Sequence, residues 1–185
     1  MRYRLIKEEM NYTGEQLRGN FAYTRFGLVG DSIIAFTGAC DVKLKEMIDI
    51  EDLKAGKVIF SESMLHFIVE CYDADLEKMV FRQILLNDIV KDQINDLKGK
   101  IVVRRNGTDL FDEEAKLSIS VATVTPISSL LHFGINISSQ NTPVKTRGLK
   151  DYGIDPFEFA NFVLDRFAKE HDKIYNARCK VRWTQ

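Results

Sequence analysis

Cysteine is scarce and scattered in this 185-residue sequence. The three cysteines are Cys40, Cys71 and Cys179, an odd number in which no two are spaced as C-x-x-C. Disulfide frameworks use an even number of cysteines, and structural zinc sites use closely spaced pairs. The sequence therefore predicts neither a disulfide-stabilised secreted domain nor a metal site.

Long apolar runs and an excess of charge are also missing. No apolar stretch approaches the ~20 residues that cross a bilayer, and the start, MRYRLIKEEM, lacks the apolar core of a secretory signal. Lys and Arg total 26 and Asp and Glu total 27, so the formal net charge is −1. Proteins that coat nucleic acid need a basic excess or a basic face. These absences predict a cytoplasmic protein without a membrane or nucleic-acid partner.

The length and the composition predict one domain over residues 1–185. Globular domains commonly contain roughly 100–200 residues. The sequence is 45% hydrophobic and 29% charged, which is ordinary for a folded chain. A chain of this length can bury enough apolar surface to fold without disulfides or metal.

Three segments in the first half of the sequence predict helices. Thr13 and Gln16 have the spacing of a capping box, which predicts a helix start in TGEQLRGNFAY. The stretch DIEDLKAG predicts one helical turn that ends at Gly56. The apolar spacing from Ser61 to Leu97 predicts a helix in two pieces, broken near YDAD and ended by Gly99.

Strand signals precede and follow these helices. Ser32 to Phe36 predicts a buried strand, and Asn106-Gly107 after the β-branched run from Ile101 to Arg105 predicts a hairpin. KLSISVATV and SLLHFGINIS predict two further strands, and Asp155 with Pro156 predicts the start of a final helix. Grouped strands with helices before and after them predict an α+β fold, with helices backing a mixed, largely antiparallel sheet.

Small polar residues alternate with apolar ones in KLSISVATV and SLLHFGINIS. If Pro126 to Ser128 form a three-residue loop, both polar sets fall on one face, because strand side chains alternate. A slip of one residue would turn one strand over. The pairs in the predicted register are Lys116 with Ser138, Ser118 with Asn136, Ser120 with Gly134, and Ala122 with His132.

This polar face has two interpretations. It could be the solvated side of a half-exposed sheet, or the wall of a ligand-binding concavity. Solvated faces usually carry long charged side chains, whereas here Lys116 stands among small ones, and a strand glycine such as Gly134 often marks close approach by a ligand. A lysine supplies a point charge for a phosphate or a polarised carbonyl. His132 could orient a ligand, move a proton or be structural. The residue types favour the concavity.

Three other positions are weaker candidates. Arg18 in YTGEQLR could bind a carboxylate or phosphate near a helix start, although capping explains the neighbouring polar residues equally well. Cys40 follows a strand beside a lysine, and an inert buried thiol is the alternative to a nucleophile. Glu62 and His66 lie four apart on a predicted helix and make an incomplete metal pair.

NGTDLF, KLSIS and LLHFGINIS resemble the central segment of lipoate–protein ligases, octanoyl transferases and biotin–protein ligases. That superfamily is related in fold to class II aminoacyl-tRNA synthetases. The resemblance implies that Lys116 reaches an acyl carbonyl or an adenylate phosphate. It also implies a ligand site, and the matching or neighbouring positions are Asp109, Ser118, Ser120, His132, Gly134 and Asn136.

Over its whole length the sequence is similar to the prokaryotic domain-of-unknown-function family three-six-six. The segments that carry this similarity are YTGEQLR, GDSIIAFTGACDV, SESMLHFIVE, KLSISVATVTPISSLLHFGINI and KVR. The fold associated with that family is the one shared by biotin and lipoate ligases and class II synthetases. The similarity therefore implies the same α+β architecture that the pattern of elements predicts.

The sequence also departs from those ligases. It lacks their glycine-rich adenylate-binding stretch, and Ile119 stands where the lysine motif has glycine, so use of ATP stays open. Two functions follow. One is an acyltransferase or ligase that moves a small acyl or carboxylate ligand, with an acyl-carrier protein as partner. The other is a non-catalytic binding or sensor protein. Exposed edge strands would allow a homodimer.

Overall fold

The computed structural model describes residues 1–56, 59–140 and 144–184 of the chain. The strands and helices given below lie in these ranges. The strands are β1 (Arg2–Leu5), β2 (Ser32–Val42), β3 (Ile59–Cys71), β4 (Arg104–Asn106), β5 (Asp109–Asp112), β6 (Ala115–Lys116), β7 (Ser118–Val124) and β8 (Ser129–Asn136). The α-helices are α1 (Phe21–Phe26), α2 (Ile50–Lys54), α3 (Leu76–Lys98) and α4 (Pro156–Cys179). Two 3₁₀ turns are formed by Leu44–Glu46 and Leu149–Tyr152.

The strands form one large and one small sheet. The large sheet has the order β1-β2-β3-β8-β7, and its only parallel pair among the described residues is β1 with β2. The small sheet has the order β4-β5-β6 and is antiparallel. Helices α3 and α4 contact the large sheet and each other. The predicted α+β fold, a mixed and largely antiparallel sheet backed by helices, is confirmed.

The prediction of a helix beginning at Ser61 is wrong, because this segment is the central strand β3. All its residues from Met64 to Cys71 are buried, since β2 and β8 pair with it on either side. Apolar residues predominate in this run, with His66 and Glu70 as exceptions, and a short run of this kind fits a buried helix as well as a buried strand. The second predicted piece is correct: it is α3, which Asp75 caps and Gly99 ends in the left-handed conformation.

Other element boundaries also differ from the prediction. The predicted strand from Ser32 continues to Val42, and the strand expected from Ile101 begins only at Arg104. The Gln16 side chain does accept a hydrogen bond from the Thr13 backbone N–H, at 3.0 Å. However, no helix begins at Thr13, and the first helix, α1, begins only at Phe21.

Two of the predicted helices are confirmed. The single turn before Gly56 is α2, which Asp49 caps through the backbone N–H groups of its first turn. The final helix is α4, and the side chain of Asp155 accepts hydrogen bonds from the backbone N–H groups of Phe157 and Glu158. Among the described residues, no helix is long and apolar enough to span a membrane.

Apolar side chains form a separate core on each face of the large sheet. The core under α3 and α4 contains Phe67, Phe133 and Phe167. The core on the opposite face contains Phe36 and Met64. Burial of side chains of this size contributes about 1.5–3 kcal/mol each. Neither long helix covers the second face, and this is where a cavity opens.

Candidate functional site

A cavity of about 390 Å³ lies at the edge of the second core. Its floor comes from β3, β7 and β8, and one wall comes from the small sheet. The segment around α2 and the ring of Tyr12 close the other sides. The apolar part of the lining includes Ile119, Val121 and Met64, whereas Lys116 and Asn136 belong to the polar part. The cavity therefore offers both apolar and polar groups to a ligand.

The strands β7 and β8 that form its floor are paired one residue away from the predicted register. Val124 pairs with Ser129, so the loop has four residues. Thr125 and Ser128 close this loop, since the Thr125 backbone N–H donates to the Ser128 carbonyl at 2.7 Å and the Thr125 hydroxyl accepts from the Ser128 N–H. The sequence predicts a three-residue loop from Pro126 to Ser128, so the predicted loop length is wrong.

The change of register turns β7 over with respect to β8, so the prediction that both polar sets share one face is wrong. Ile119 pairs with Gly134 and Val121 pairs with His132. Ser118 and Ser120 instead pair with Ile135 and Phe133. The pairs observed across the predicted polar positions are thus Ser118 with Ile135, Ile119 with Gly134, Ser120 with Phe133, Val121 with His132 and Ala122 with Leu131. On the face that β8 shares with His132 and Gly134, β7 therefore places Ile119 and Val121.

Ser118 and Ser120 line the cavity but bond protein groups. The Ser118 hydroxyl accepts from the Leu110 backbone N–H at 2.8 Å. The Ser120 hydroxyl accepts from the Gln83 side chain at 2.7 Å and donates to the Thr108 carbonyl at 2.6 Å. These bonds join β7 to the small sheet. The two serines therefore position the strands that carry Asp109 and Lys116.

Lys116 lies in the small sheet, paired with Phe111, and not opposite Ser138 as predicted. Its ammonium is 2.7 Å from a carboxylate oxygen of Asp109. Its backbone bonds to Lys145 and Arg147 on the neighbouring segment, which holds the residue in place. Burial raises the pKa of Asp109, and the Lys116 ammonium opposes that shift. The Lys116–Asp109 pair therefore forms part of the cavity lining.

A stacked cluster of two histidines and a tyrosine lies beside the cavity, and Tyr12 and His132 line it. The rings of Tyr12 and His132 are nearly parallel, with centroids 3.6 Å apart. The Nε2 atom of His132 is 3.1 Å from Nδ1 of His66, and Nε2 of His66 is 3.2 Å from the Gly38 carbonyl. A carbonyl can only accept, so Nε2 of His66 donates to it, and the His66 Nδ1 accepts from His132.

Both histidines are uncharged at neutral pH. Burial lowers the pKa of His66 to about 4, although its backbone hydrogen bonds oppose the shift. Burial, and next the neighbouring His66, lower the pKa of His132 well below its usual value. His132 therefore presents a neutral ring to the cavity and supplies no positive charge for a phosphate or carboxylate. Sequence reasoning missed this partner of His132, because it placed His66 on a helix.

Gly134 and Asn136, two other predicted ligand positions, shape the floor. A Cβ at Gly134 would lie 3.0 Å from the Met64 methyl and 3.4 Å from the His132 ring, so glycine leaves room for both. Asn136 accepts from the Ser61 hydroxyl at 3.0 Å and donates to the Arg147 carbonyl at 3.5 Å. Both residues support groups that line the cavity.

Arg18 and Cys40 do not form part of the described lining. Arg18 is exposed and lies outside it. Cys40 is fully buried, and burial raises the pKa of its thiol to about 12, so it is protonated at neutral pH. A protonated thiol is a poor nucleophile. Glu62 and His66 lie on β3, not on the helix that the sequence predicts.

The charged groups around the cavity are mostly acidic. Glu46, Asp49, Asp52 and Asp109 all line it. Among the described residues of the lining, Lys116 is the only lysine or arginine. Asp49 caps α2, and Lys116 is already paired with Asp109. The rim therefore disfavours a ligand with several negative charges.

The chain matches known families and structures over nearly all its length. The family described as a domain of unknown function, DUF366, matches residues 1–182. The chain belongs to the DUF366 family. An uncharacterised protein of Methanocaldococcus jannaschii is 36% identical over 176 residues, which cover 91% of this chain and 79% of the relative. A protein of unknown function from Pyrococcus horikoshi is 34% identical, with a TM-score of 0.91, covering 99% of this chain and 100% of that chain.

More distant structures share the fold of this DUF366 chain. A biotin protein ligase from Aquifex aeolicus in complex with biotin and ATP matches with a TM-score of 0.63 at 15% identity, covering 92% of this chain and 71% of that one. A lipoate-protein ligase A bound with ATP matches with a TM-score of 0.54 at 16% identity, covering 92% of this chain and 85% of that one. The predicted similarity to the biotin and lipoate ligase fold is confirmed.

Proposed function

We propose that this DUF366 protein binds a small acyl compound in the cavity beside β7 and β8. The acyl carbonyl contacts the ammonium of Lys116, and the hydrocarbon part contacts Ile119, Val121 and Met64, which also line the cavity. A volume of about 390 Å³ lies within the range of small-molecule sites. The observation that carries the proposal is one lysine in a cavity whose lining also includes the apolar side chains of Ile119, Val121 and Met64.

The charge distribution favours a neutral carbonyl over a free carboxylate. Asp109 lies 2.7 Å from Lys116 and largely neutralises it, and three further carboxylates line the cavity. An anion brought beside Asp109 would be repelled. A thioester, ester or amide carbonyl accepts a hydrogen bond from the ammonium without adding charge. Within the predicted class of acyl or carboxylate ligands, the neutral acyl compound fits better.

If the protein is an enzyme, its chemistry is acyl transfer to an amine. The Lys116 ammonium would stabilise the negative charge that develops on the carbonyl oxygen as the amine attacks. Biotin and ATP are bound by a ligase that shares this fold, at 15% identity. Delivery of the acyl group by an acyl-carrier protein, and self-association of the chain, are further predictions.

The second candidate is a binding or sensor protein that does not use ATP. It is favoured by the acidic rim, since a triphosphate needs several cations and the described lining offers only Lys116. The two candidates share the same ligand and differ in turnover. A reaction mixture of an acyl thioester and a lysine peptide, with and without ATP, distinguishes them by mass spectrometry of the peptide.

Replacing Lys116 by methionine should weaken binding of a neutral acyl ligand at least tenfold. A hydrogen bond to a charged group contributes about 1.5–3 kcal/mol, and each factor of ten in affinity corresponds to about 1.4 kcal/mol. Calorimetric titration with octanamide, lipoamide and an octanoyl thioester measures the effect. Octanoate, the charged analogue, should bind more weakly than octanamide.

Lys43→Met is the matched control. Lys43 also pairs with an aspartate, Asp41, at 2.8 Å, but lies outside the cavity lining. The Lys43 variant should bind as the unmodified protein does. Equal affinity of the Lys116 variant, or a failure of all three neutral ligands to bind, would contradict the proposal.

A further inference from the structure

A cluster of three metal-ligating side chains lies on the other face of the large sheet, away from the acyl cavity. Asp31 precedes β2, Cys71 ends β3, and His171 lies on α4. One ligand atom from each lies within 4.8 Å of the other two. We propose that these three residues bind a divalent ion of the zinc type. This site is independent of the proposed acyl function.

The donor set and its spacing suit such an ion. Zinc takes thiolate sulfur, imidazole nitrogen and carboxylate oxygen. Its ligand distances of about 2.0–2.3 Å place neighbouring ligand atoms of a tetrahedral site about 3.3–3.6 Å apart. The His171 Nε2 and Asp31 Oδ2 atoms are already 3.2 Å apart. The Cys71 sulfur lies within 4.8 Å of both atoms, so a shift of roughly 1–2 Å would complete the set.

Neighbouring groups orient two of the three ligands. The Tyr72 backbone N–H donates to Oδ1 of Asp31 at 2.8 Å, which leaves Oδ2 directed to His171. The Nδ1 atom of His171 is 3.5 Å from a carboxylate oxygen of Asp172. A carboxylate beside the second ring nitrogen stabilises the tautomer that presents Nε2 to a metal. These contacts thus place Oδ2 of Asp31 and Nε2 of His171 side by side, where one ion can bind both.

The presence of Cys71 distinguishes this cluster from a simple ion pair. An Asp31–His171 pair needs no third group, yet the fully buried Cys71 sulfur lies within 4.8 Å of both ligand atoms. Without metal the thiol is inert, because burial raises its pKa to about 12 while Arg82 opposes the shift. A bound dication replaces the thiol proton: one sulfur–metal bond forms, one S–H bond breaks, and one proton is released to water.

The proposed site borders a cavity of about 520 Å³ lined by residues of α3 and α4. Asp31 and His171 line this cavity together with Arg82, which Asp73 holds through two hydrogen bonds of 2.8 and 2.9 Å. Three protein ligands leave one position of a tetrahedral ion open. Water or a small anion from the cavity would fill that position.

The cysteines are too far apart in sequence for the spacing rule to find this site. Cys71 has no second cysteine near it, and its partners are 40 residues earlier and 100 residues later in the chain. The strand order brings the start of β2 beside the end of β3, since Ser32 pairs with Glu70. Helix α4 then crosses this end of the sheet and supplies His171.

Cobalt binding to the full chain tests the proposal. A Cys179→Ser background removes the exposed thiol. After treatment with a chelator, the protein should bind one equivalent of Co²⁺. The spectrum should show a thiolate-to-cobalt charge-transfer band and the intense visible bands of a tetrahedral site. Zinc should displace the cobalt, and binding should release a proton from the thiol.

Three variants in that background assign the ligands. Cys71→Ser should lose the charge-transfer band, and His171→Gln should bind Co²⁺ at least tenfold more weakly. Cys40→Ser, which changes another buried cysteine outside the cluster, should keep the band. His171 is partly exposed, so its replacement tests the site even if Cys71→Ser fails to fold. Absence of the band in the background protein, or unchanged affinity in His171→Gln, would overturn the proposal.

Discussion

Lowering the pH from 7 to 5 should reduce the free energy of unfolding by about 4 kcal/mol, because two buried histidines stay uncharged in the folded protein. The pKa of His66 falls to about 4 and that of His132 falls well below its usual value, both mainly through burial. In the unfolded chain each has a pKa of about 6.5. Each pH unit below that value then costs about 1.4 kcal/mol per histidine.

The direction of this effect follows from the bound protons. Between pH 6.5 and the folded pKa values the unfolded chain binds more protons than the folded one, so stability falls as the pH falls. Most carboxylates titrate at lower pH, near about 4. The interval from pH 7 to pH 5 therefore reports mainly on histidines. The loss of free energy of unfolding should be complete only below the pKa values that His66 and His132 have in the folded protein.

Urea unfolding at half-unit pH intervals measures this loss. The slope near pH 5.5 should correspond to about two protons taken up on unfolding. In the folded protein, the imidazole resonances of His66 and His132 should not titrate between pH 7 and 5. His66→Gln should reduce the slope by about one proton. Titration of both rings near pH 6.5 in the folded state would contradict the buried, neutral pair.

Replacing Gly38 by alanine should destabilise the protein by about 3 kcal/mol or more, at the upper end for overpacked sites. A Cβ at Gly38 would overlap the carbonyl oxygen of Met10 and lie 2.6 Å from its carbonyl carbon. These are backbone atoms and cannot rotate away. The segment that contains Met10 is bonded along β2, through the Met10 N–H to Thr37 and the Tyr12 N–H to Ala39.

The same substitution should also weaken ligand binding. Displacement of Met10 moves Tyr12, whose ring stacks on His132 and lines the cavity in which we propose that the ligand binds. The Gly38 carbonyl, which accepts from His66, would shift as well. We expect a lower denaturation midpoint together with reduced affinity for octanamide.

Gly19→Ala is the control for Gly38→Ala. A Cβ at Gly19 would meet its nearest atom, the Ser128 hydroxyl oxygen, at 3.6 Å, an ordinary contact. The free energy of unfolding of the Gly19→Ala variant should change by less than about 0.5 kcal/mol, as for most substitutions that break no specific contact. Equal stability of the Gly38 and Gly19 variants would show that the Met10 segment does not lie against β2.

Local signals in the sequence predict several elements correctly, because their physical causes are local. Asp155 and Pro156 start α4 through capping and a fixed backbone angle, and both lie next to the groups they affect. Gly99 ends α3 because glycine adopts the left-handed conformation without strain. Lys116 lines the cavity, and its role in binding a ligand stays a prediction.

The central strand and the hairpin register depend on partners far away in sequence. The run from Met64 to Cys71 is buried on both faces, although it includes His66 and Glu70, and only pairing with β2 and β8 makes it a strand. The register of β7 on β8 follows from one extra loop residue, held by Thr125 and Ser128. A single residue decides which side chains face the cavity, since strand side chains alternate with a period of two.

The sequence by itself determines the α+β class, the two long helices α3 and α4, and the family to which the chain is similar. Helix caps, apolar periodicity and motif residues act over a few positions, so they can be read without a structure. Only the tertiary structure places His66 beside His132, pairs Lys116 with Asp109 and gathers Asp31, Cys71 and His171. These contacts join residues that are distant in the chain, and the strand order of the large sheet and the packing of α4 and the small sheet bring them together.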